Sequence, residues 1–360
     1  MTLPTAEPVA ARPDGLRVLV LGGTGTAGRA TAAALRRAGH EVVCLVRPGA
    51  AGRGGGPLPA AGPEADPEAA AEAVRCAAGL PPDVEPRVAD VTDAASLARD
   101  GFRGERFDAL VSCLASRSGV PADAWAIDHG AHSLALAAAK EAGVRHVVLL
   151  SAICVQKPRL AFQHAKLAFE RELIASGLTH SIVRPTAFFK SLSGQVERVR
   201  RGRPFLLFGD GTLTACKPIG DADLGDYVAG CLTDVSRHDR ILPIGGPGEA
   251  ITPREQGERL FALTGRAPRF RRVPVGMFDV VRAALEPLGR VSPACAAKAE
   301  LARIGRYYAT ESMLVLDPRT GRYDADATPS TGTDTLFDFY AALLDGSASA
   351  ERGAHAVFGD

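Results

Sequence analysis

The sequence of 360 residues lacks a charge of one dominant sign: 42 lysines and arginines face 41 aspartates and glutamates, a formal charge of +1. No long-range field draws it to a polyanion, so nucleic acid is not an expected partner. It lacks CxxC pairs. Its seven cysteines, at 44, 76, 113, 154, 216, 231 and 295, are scattered and form no Cys/His cluster at ligand spacing. That pattern excludes a zinc framework, predicts no bound metal, and fits reduced, buried thiols of a cytoplasmic protein. It also lacks the roughly 20-residue apolar run that a membrane-spanning helix needs. The first fifteen residues, MTLPTAEPVAARPDG, have no apolar secretion core and read as a disordered tail, as do residues 346–360. What is present is a core-burying mixture, 46% hydrophobic and 23% charged, of a length that suits one large or two modest domains.

From Leu16 onward, short β-branched runs alternate with helical text, the mark of parallel βαβ units. Strands are predicted at 17–21, 41–46, 86–89, 108–113, 145–151 and 179–184. Helices are predicted at 27–38, 122–142 and 162–176, each followed by a capping glycine at 39, 143 or 177. The predicted fold is α/β, a doubly wound parallel sheet of the Rossmann type over 16–190, with a smaller substrate-side region over 191–345. That second region is predicted to return a strand at 241–244 and to carry helices at 191–201, 222–232, 253–264, 277–288 and 335–344. Residues 49–83 read as a flexible Gly/Pro/Ala-rich insertion with one helix at 67–78.

The strand RVLVL runs into Gly22-Gly23-Thr24-Gly25-Thr26-Ala27-Gly28 and then into helical text. Glycines three apart allow a tight turn, close approach of backbone to a pyrophosphate, and a helix packed on its strand, with the helix N-terminus aimed at the anion. Placed between strand and helix, the motif predicts a dinucleotide site. Where an acidic residue would bind the ribose 2'-hydroxyl of NAD, the second strand ends in Val46-Arg47, so the 2'-phosphate of NADPH is the better fit. Arg29 is the alternative cation. Asp90 and Val91 are placed to meet the adenine, and Cys113, Leu114 and Pro185 end strands beside the cofactor.

The fifth strand ends at Ser151, and the next helix carries Phe162 and Lys166. Short-chain dehydrogenases place Ser and Tyr-x-x-x-Lys here, the tyrosine protonating an alkoxide. A phenylalanine gives no proton, so ordinary ketone reduction is disfavoured. The chemistry expected instead is hydride addition to an alkene whose charge spreads into a large π system. Lys166 and Ser151 are the catalytic candidates, with Lys166 either moving a proton or only holding the nicotinamide ribose. After the sixth strand, Phe188 and Phe189 are expected, with Phe162, to meet a flat substrate, and Lys190 to meet its carboxylate; one of the two adjacent phenylalanines is expected to serve core packing.

The order GGTGTAGR, VRP, ADVTD, SAICVQKP, VRPTAFFKSLSGQVE, FGDG, ACKPI, LPIGGPGEAITPREQGE, RYYATESMLVLDP and TPSTGTDTLFDFY closely resembles the NADPH-dependent, ferredoxin-independent divinyl (proto)chlorophyllide 8-vinyl reductases, over Leu16 to about Leu344. The glycine motif alone indicates only an atypical short-chain dehydrogenase of the NmrA and isoflavone-reductase kind; SAICVQKP and VRPTAFFKSLSGQVE are far narrower. The resemblance implies an oxidoreductase that converts the C8 vinyl of a magnesium tetrapyrrole to ethyl in chlorophyll or bacteriochlorophyll synthesis. The glycine-rich insertion at 49–65 departs from that pattern, and the start lacks a plastid transit peptide, which points to a bacterium. The amphipathic stretch FDVVRAALEPLG suits peripheral contact with a photosynthetic membrane, although packing on the sheet is its ordinary use. His129, His132 and His164 are the imidazoles to check against the pigment magnesium, with a structural role as the default. The competing function is an NADP(H)-binding sensor or assembly protein without turnover.

Overall fold

Seven parallel strands form the centre of the protein, in the computed structural model that describes residues 15–49 and 66–349. They are β1 Arg17–Leu21, β2 Glu41–Val46, β3 Val84–Val88, β4 Ala109–Ser112, β5 His146–Leu150, β6 Thr179–Pro185 and, after the short β7 Phe205–Phe208, β8 Arg240–Ile244. Their order across the sheet is β3-β2-β1-β4-β5-β6-β8. Strands such as RVLVL and HVVLL are almost wholly buried, as expected where helices cover both faces. The expectations for the first fourteen residues, for 50–65 of the insertion and for the last eleven residues lie outside the described residues.

Each sheet face carries its own core. Helices α1 Thr26–Arg37 and, later in the chain, Asp221–Gly230 pack on one face through Val18, Val20, Val42, Leu35, Leu224 and Val228. Gly225 allows their close contact, since a Cβ there would lie 2.6 Å from the Ala30 carbonyl carbon. The other face packs against residues of the helices His132–Glu141 and Ala161–Ala175, including Leu136, Phe169 and Leu173. Numbered in chain order, the longer helices are α1, α2 Pro67–Ala78, α3 His132–Glu141, α4 Ala161–Ala175, α5 Asp221–Gly230, α6 Pro253–Leu263, α7 Gly276–Leu285, α8 Pro293–Thr310 and α9 Leu336–Asp345.

Beyond the sheet, β7 pairs with β9 Phe270–Val273, and Phe205, Phe261 and Tyr340 form a separate core with Phe189. Helices α7 and α8 make a hairpin in which Phe278 sits where a Cβ on Gly305 would come within 2.5 Å of its ring. Strands β10 Val315–Leu316 and β11 Tyr323–Asp324 complete the chain's small elements.

Two helical expectations are corrected and one helix is added. The predicted helix 122–142 is Pro121–Ala124, a wide turn over Trp125–Ala131, and then α3. The extra residue in that turn rotates Asp128 into the interior, where it is 1% exposed. The predicted helix 191–201 is likewise three short pieces, Phe189–Leu192, Ser193–Gln195 and Val196–Arg200. Gln195 turns inward there to bond both backbone groups of Leu206. The eighteen-residue helix α8 was not expected at all, although the Ser292 N-cap and Pro293 at its first position mark its start.

Candidate active site

The strand order reverses between β1 and β4, and sheets of this kind take ligands at that reversal, outside the carboxyl ends of the strands. The turn 22–28 lies there. Gly22 has φ of 73°, and a Cβ there would stand 2.7 Å from the Cys113 carbonyl, so only glycine fits between the two strand ends. A Cβ on Gly28 would lie 2.1 Å from the Gly22 oxygen, which fixes α1 close against the turn. Gly25 differs: it is exposed, its nearest atom is the Gly22 oxygen at 3.5 Å, and it is the N-cap of α1 with no side-chain cap. The amide end of α1 is therefore presented to an anion. Around it, Arg29 Nη1 donates to the Thr24 carbonyl at 2.6 Å and Lys190 Nζ donates to Thr26 Oγ1 at 2.5 Å. Ala27 packs beside this turn, against the core of the α1 face. An open glycine, a free helix terminus and a nearby ammonium are the donor set a pyrophosphate requires, and the residues present fit NADPH.

Arg47 follows β2 directly and is exposed. Asp90, after β3, lies close enough to feel its charge. Its carboxyl is held below the ordinary range, chiefly because the Thr92 hydroxyl and amide donate to it at 2.7 and 2.9 Å, with Arg47 adding attraction. Val91 is a core residue, so only its backbone can face a ligand. Pro185 is buried at the end of β6, in register with Ile244.

Helix α4 carries Phe162, Lys166 and Glu170 at four-residue spacing, on one face. Lys166, 8% exposed, forms an ion pair with Asp128 at 3.0 Å. Asp128 also accepts the Ser116 hydroxyl at 2.6 Å and the Ser116 amide at 3.3 Å. The ammonium is thus fixed in place by a buried carboxylate whose other oxygen is satisfied. Ser151 belongs to a separate network: its hydroxyl donates to Glu170 Oε1 at 2.5 Å, and Arg184 grips the same carboxylate. Among the described residues Ser151 and Lys166 make no direct bond. Gln163 fastens the loop between them, accepting from the Arg159 and Leu160 amides and donating to the Cys154 carbonyl.

A sequence profile described as NAD(P)H-binding matches residues 49–234 of this chain. A divinyl chlorophyllide a 8-vinyl-reductase, chloroplastic, of Oryza sativa subsp. indica is 47% identical over 96% of this chain and 83% of its own length. The protein of the same name from Arabidopsis thaliana is 45% identical over 95% of this chain and 80% of its own. The chain belongs to the divinyl chlorophyllide a 8-vinyl-reductase family. In fold it is also similar to the leucoanthocyanidin reductase of Vitis vinifera solved as a binary complex with NADPH, with a TM-score of 0.63, 14% identity, and coverage of 91% of this chain and 99% of that one.

In this member of the vinyl-reductase family the apolar residues divide. Phe162 is half-buried and packs on a cluster containing Cys154, Ile304 and Tyr307. Phe188 is half-buried against the α1 face. Phe189 is a correction: it is 7% exposed and packs with Phe205 and Tyr340, its ring 5.7 Å from that of Phe339, so it belongs to the core and not to a stacking surface. Lys190 is a second correction, since its ammonium reaches back to Thr26 and the phosphate turn. The histidines separate as well. His129 faces Glu172 at 3.4 Å. His132 is buried between Ser112 Oγ at 2.8 Å and the Ile127 carbonyl at 2.9 Å, and burial followed by the Lys166 charge pushes its pKa down. His164 is exposed. No group of three or more His, Cys, Asp or Glu side chains among the described residues is arranged to hold a metal.

Sequence reasoning missed Asp128, Ser116, Glu170 and the positioning role of Arg184. Arg184 stood visibly before the Pro-Thr turn, but its partner is fourteen residues away. Asp128 gave no signal, because a regular helix over the same text would have turned it elsewhere.

Proposed function

We propose that this chain reduces the 8-vinyl group of a divinyl chlorophyllide or protochlorophyllide to ethyl, with NADPH as reductant. The observation that carries the reading is a dinucleotide crevice beside a buried Lys166 with Phe162 in place of a proton-donating tyrosine. Bound in the crevice, NADPH supplies a hydride. Gly22, Thr24, Gly25, Thr26, Ala27 and Gly28 form its phosphate cradle, Lys190 adds an ammonium to it, and Arg47 takes the 2'-phosphate. Asp90, Val91, Cys113, Leu114 and Pro185 line the adjoining strand ends. Lys166, fixed by Asp128, offers a positive charge to the reacting region. Ser151, held by Glu170, shapes the loop that follows β5. Phe162 and Phe188 present apolar surface to a planar tetrapyrrole. Because hydride addition to a conjugated vinyl leaves charge spread over the macrocycle, no acid on α4 is required at the moment of transfer.

The reading includes contact with a membrane surface. No helix among the described residues is long and apolar enough to cross a bilayer. The α7 segment and the turn after it, however, expose Met277, Val280, Val281, Leu288 and Val291, with Val280 70% and Val291 85% accessible. The protein is expected to float with pigment-free liposomes; sedimentation away from them removes the membrane from the account. The reduction itself is tested by pigment extracts of cells lacking this protein, which should accumulate species with two vinyl groups. An unchanged pigment profile overturns it, and cofactor binding without turnover favours a sensor.

A further inference from the structure

Helix α8 ends over the loop that follows β5, and its two adjacent tyrosines are used differently. Tyr307 is buried, and its hydroxyl donates to the carbonyls of Cys154 at 2.9 Å and Lys157 at 3.1 Å, which clamps the loop. Tyr308 stays 42% exposed with its hydroxyl turned to the Cys154 thiol at 4.0 Å. Among the described residues no oxygen accepts its proton. Of the five tyrosines in the chain, Tyr323 is bonded to Glu311 at 2.8 Å and Tyr340 to the Leu192 carbonyl at 2.7 Å. Tyr227 lies on α5, its ring under Arg237.

Cys154 links Tyr308 to the candidate site. Burial pushes its thiol pKa up, and the Lys166 ammonium is near enough to pull against that shift. Phe162 packs on the cluster that holds Cys154 and Ile304, and Ile304 lies one turn before Tyr308 on the same face of α8. An aromatic hydroxyl absent from α4 is thus supplied from α8, at the Cys154 thiol of the cluster on which Phe162 packs.

We propose that Tyr308 is the proton donor of the vinyl reduction. The proposal rests on the reaction argued above. A hydride from NADPH, which becomes NADP+, adds to the terminal vinyl carbon, and the π electron pair passes into the macrocycle. The Tyr308 O–H bond breaks as a C–H bond forms at the inner carbon, leaving an ethyl group and a tyrosinate that regains its proton from water through the exposed edge. Burial pushes the phenol pKa up, so the hydroxyl enters the step protonated and its proton is drawn out only by the charge that hydride addition leaves on the macrocycle.

The test compares Tyr308→Phe and Tyr307→Phe with the unaltered protein, using divinyl chlorophyllide, NADPH and matched H2O and D2O buffers. Tyr308→Phe should lower kcat by about 100-fold or more, the usual range for a general acid, while the Soret change on pigment binding and the affinity for NADPH remain. The solvent isotope effect of the unaltered protein should change in Tyr308→Phe and persist in Tyr307→Phe. Retention of both kcat and isotope effect by Tyr308→Phe overturns the proposal while leaving the reaction standing, as does loss confined to Tyr307→Phe. Absence of NADPH oxidation by the unaltered protein is a different result and overturns the reaction itself.

Discussion

At the scale of single residues, the site turns on two cations, a buried Lys166 paired to Asp128 and an exposed Arg47. The Lys166 ammonium pairs with Asp128 at 3.0 Å, and the Ser116 hydroxyl donates to the other oxygen of that carboxylate. Lys166→Ala should therefore lower turnover by about 100-fold with only a modest loss of pigment binding, measured as kcat against the Soret titration; an unchanged rate would remove Lys166 from the active centre. Arg47 is exposed, and its charge acts on Asp90. Arg47→Glu should weaken NADPH by roughly 10- to 100-fold, the value of a lost charge-assisted bond, and shift preference toward NADH. Unaltered discrimination in a paired kinetic assay would transfer the 2'-phosphate to Arg29. The legibility of these residues differed for a physical reason. Arg47 and Lys166 stand at fixed offsets from a strand and a helix start, whereas Asp128 reaches the site through a wide turn that no periodicity announces. Phe189 and Lys190, adjacent in sequence, are both substrate candidates by position, with one of Phe188 and Phe189 expected in the core; the short helix Phe189–Leu192 sends Phe189 into that core and Lys190 to the phosphate turn.

At the scale of elements, the phosphate turn is the most constrained part of the chain. Gly28→Val places side-chain atoms where a Cβ alone already meets the Gly22 oxygen at 2.1 Å. α1 must then move away from β1, and NADPH affinity should fall by more than about 100-fold, as the aligned amides carry the phosphate. Fluorescence titration showing unaltered binding would mean that the cofactor does not sit on this turn. Elements of the sheet were readable because buried parallel strands are continuous apolar runs punctuated by glycine caps. Helix α8 was not, because its text PACAAKAELARIGRYYAT mixes alanine with charge and shows no strong apolar stripe until it meets α7. Strands β7 and β9 are four residues each, too short for alternation to emerge.

At the scale of the whole molecule, the α7–α8 hairpin is tied to the carboxyl edge of the sheet where Tyr307 bonds the loop after β5. At the opposite edge of the sheet one buried histidine contributes to stability toward acid. His146 is 2% exposed, bonded to Ser181 at 3.0 Å, and burial with nearby His238 and His180 pushes its pKa down to about 3 from 6.5. Between those values the unfolded chain binds a proton that the folded one refuses. Stability is therefore complete above about pH 6.5 and falls as pH drops, by about 2 kcal/mol at pH 5 from this group. Urea unfolding at pH 7 and pH 5 measures it, and equal stabilities would mean that His146 is not buried as a neutral ring. The central claim is that this crevice passes a hydride to a vinyl-bearing macrocycle. The direct measurement is NADPH absorbance on mixing the purified protein with divinyl chlorophyllide, with the 8-ethyl pigment as control. Oxidation of one NADPH per divinyl pigment, and none with the control, is the predicted result; no oxidation with either pigment would contradict the account.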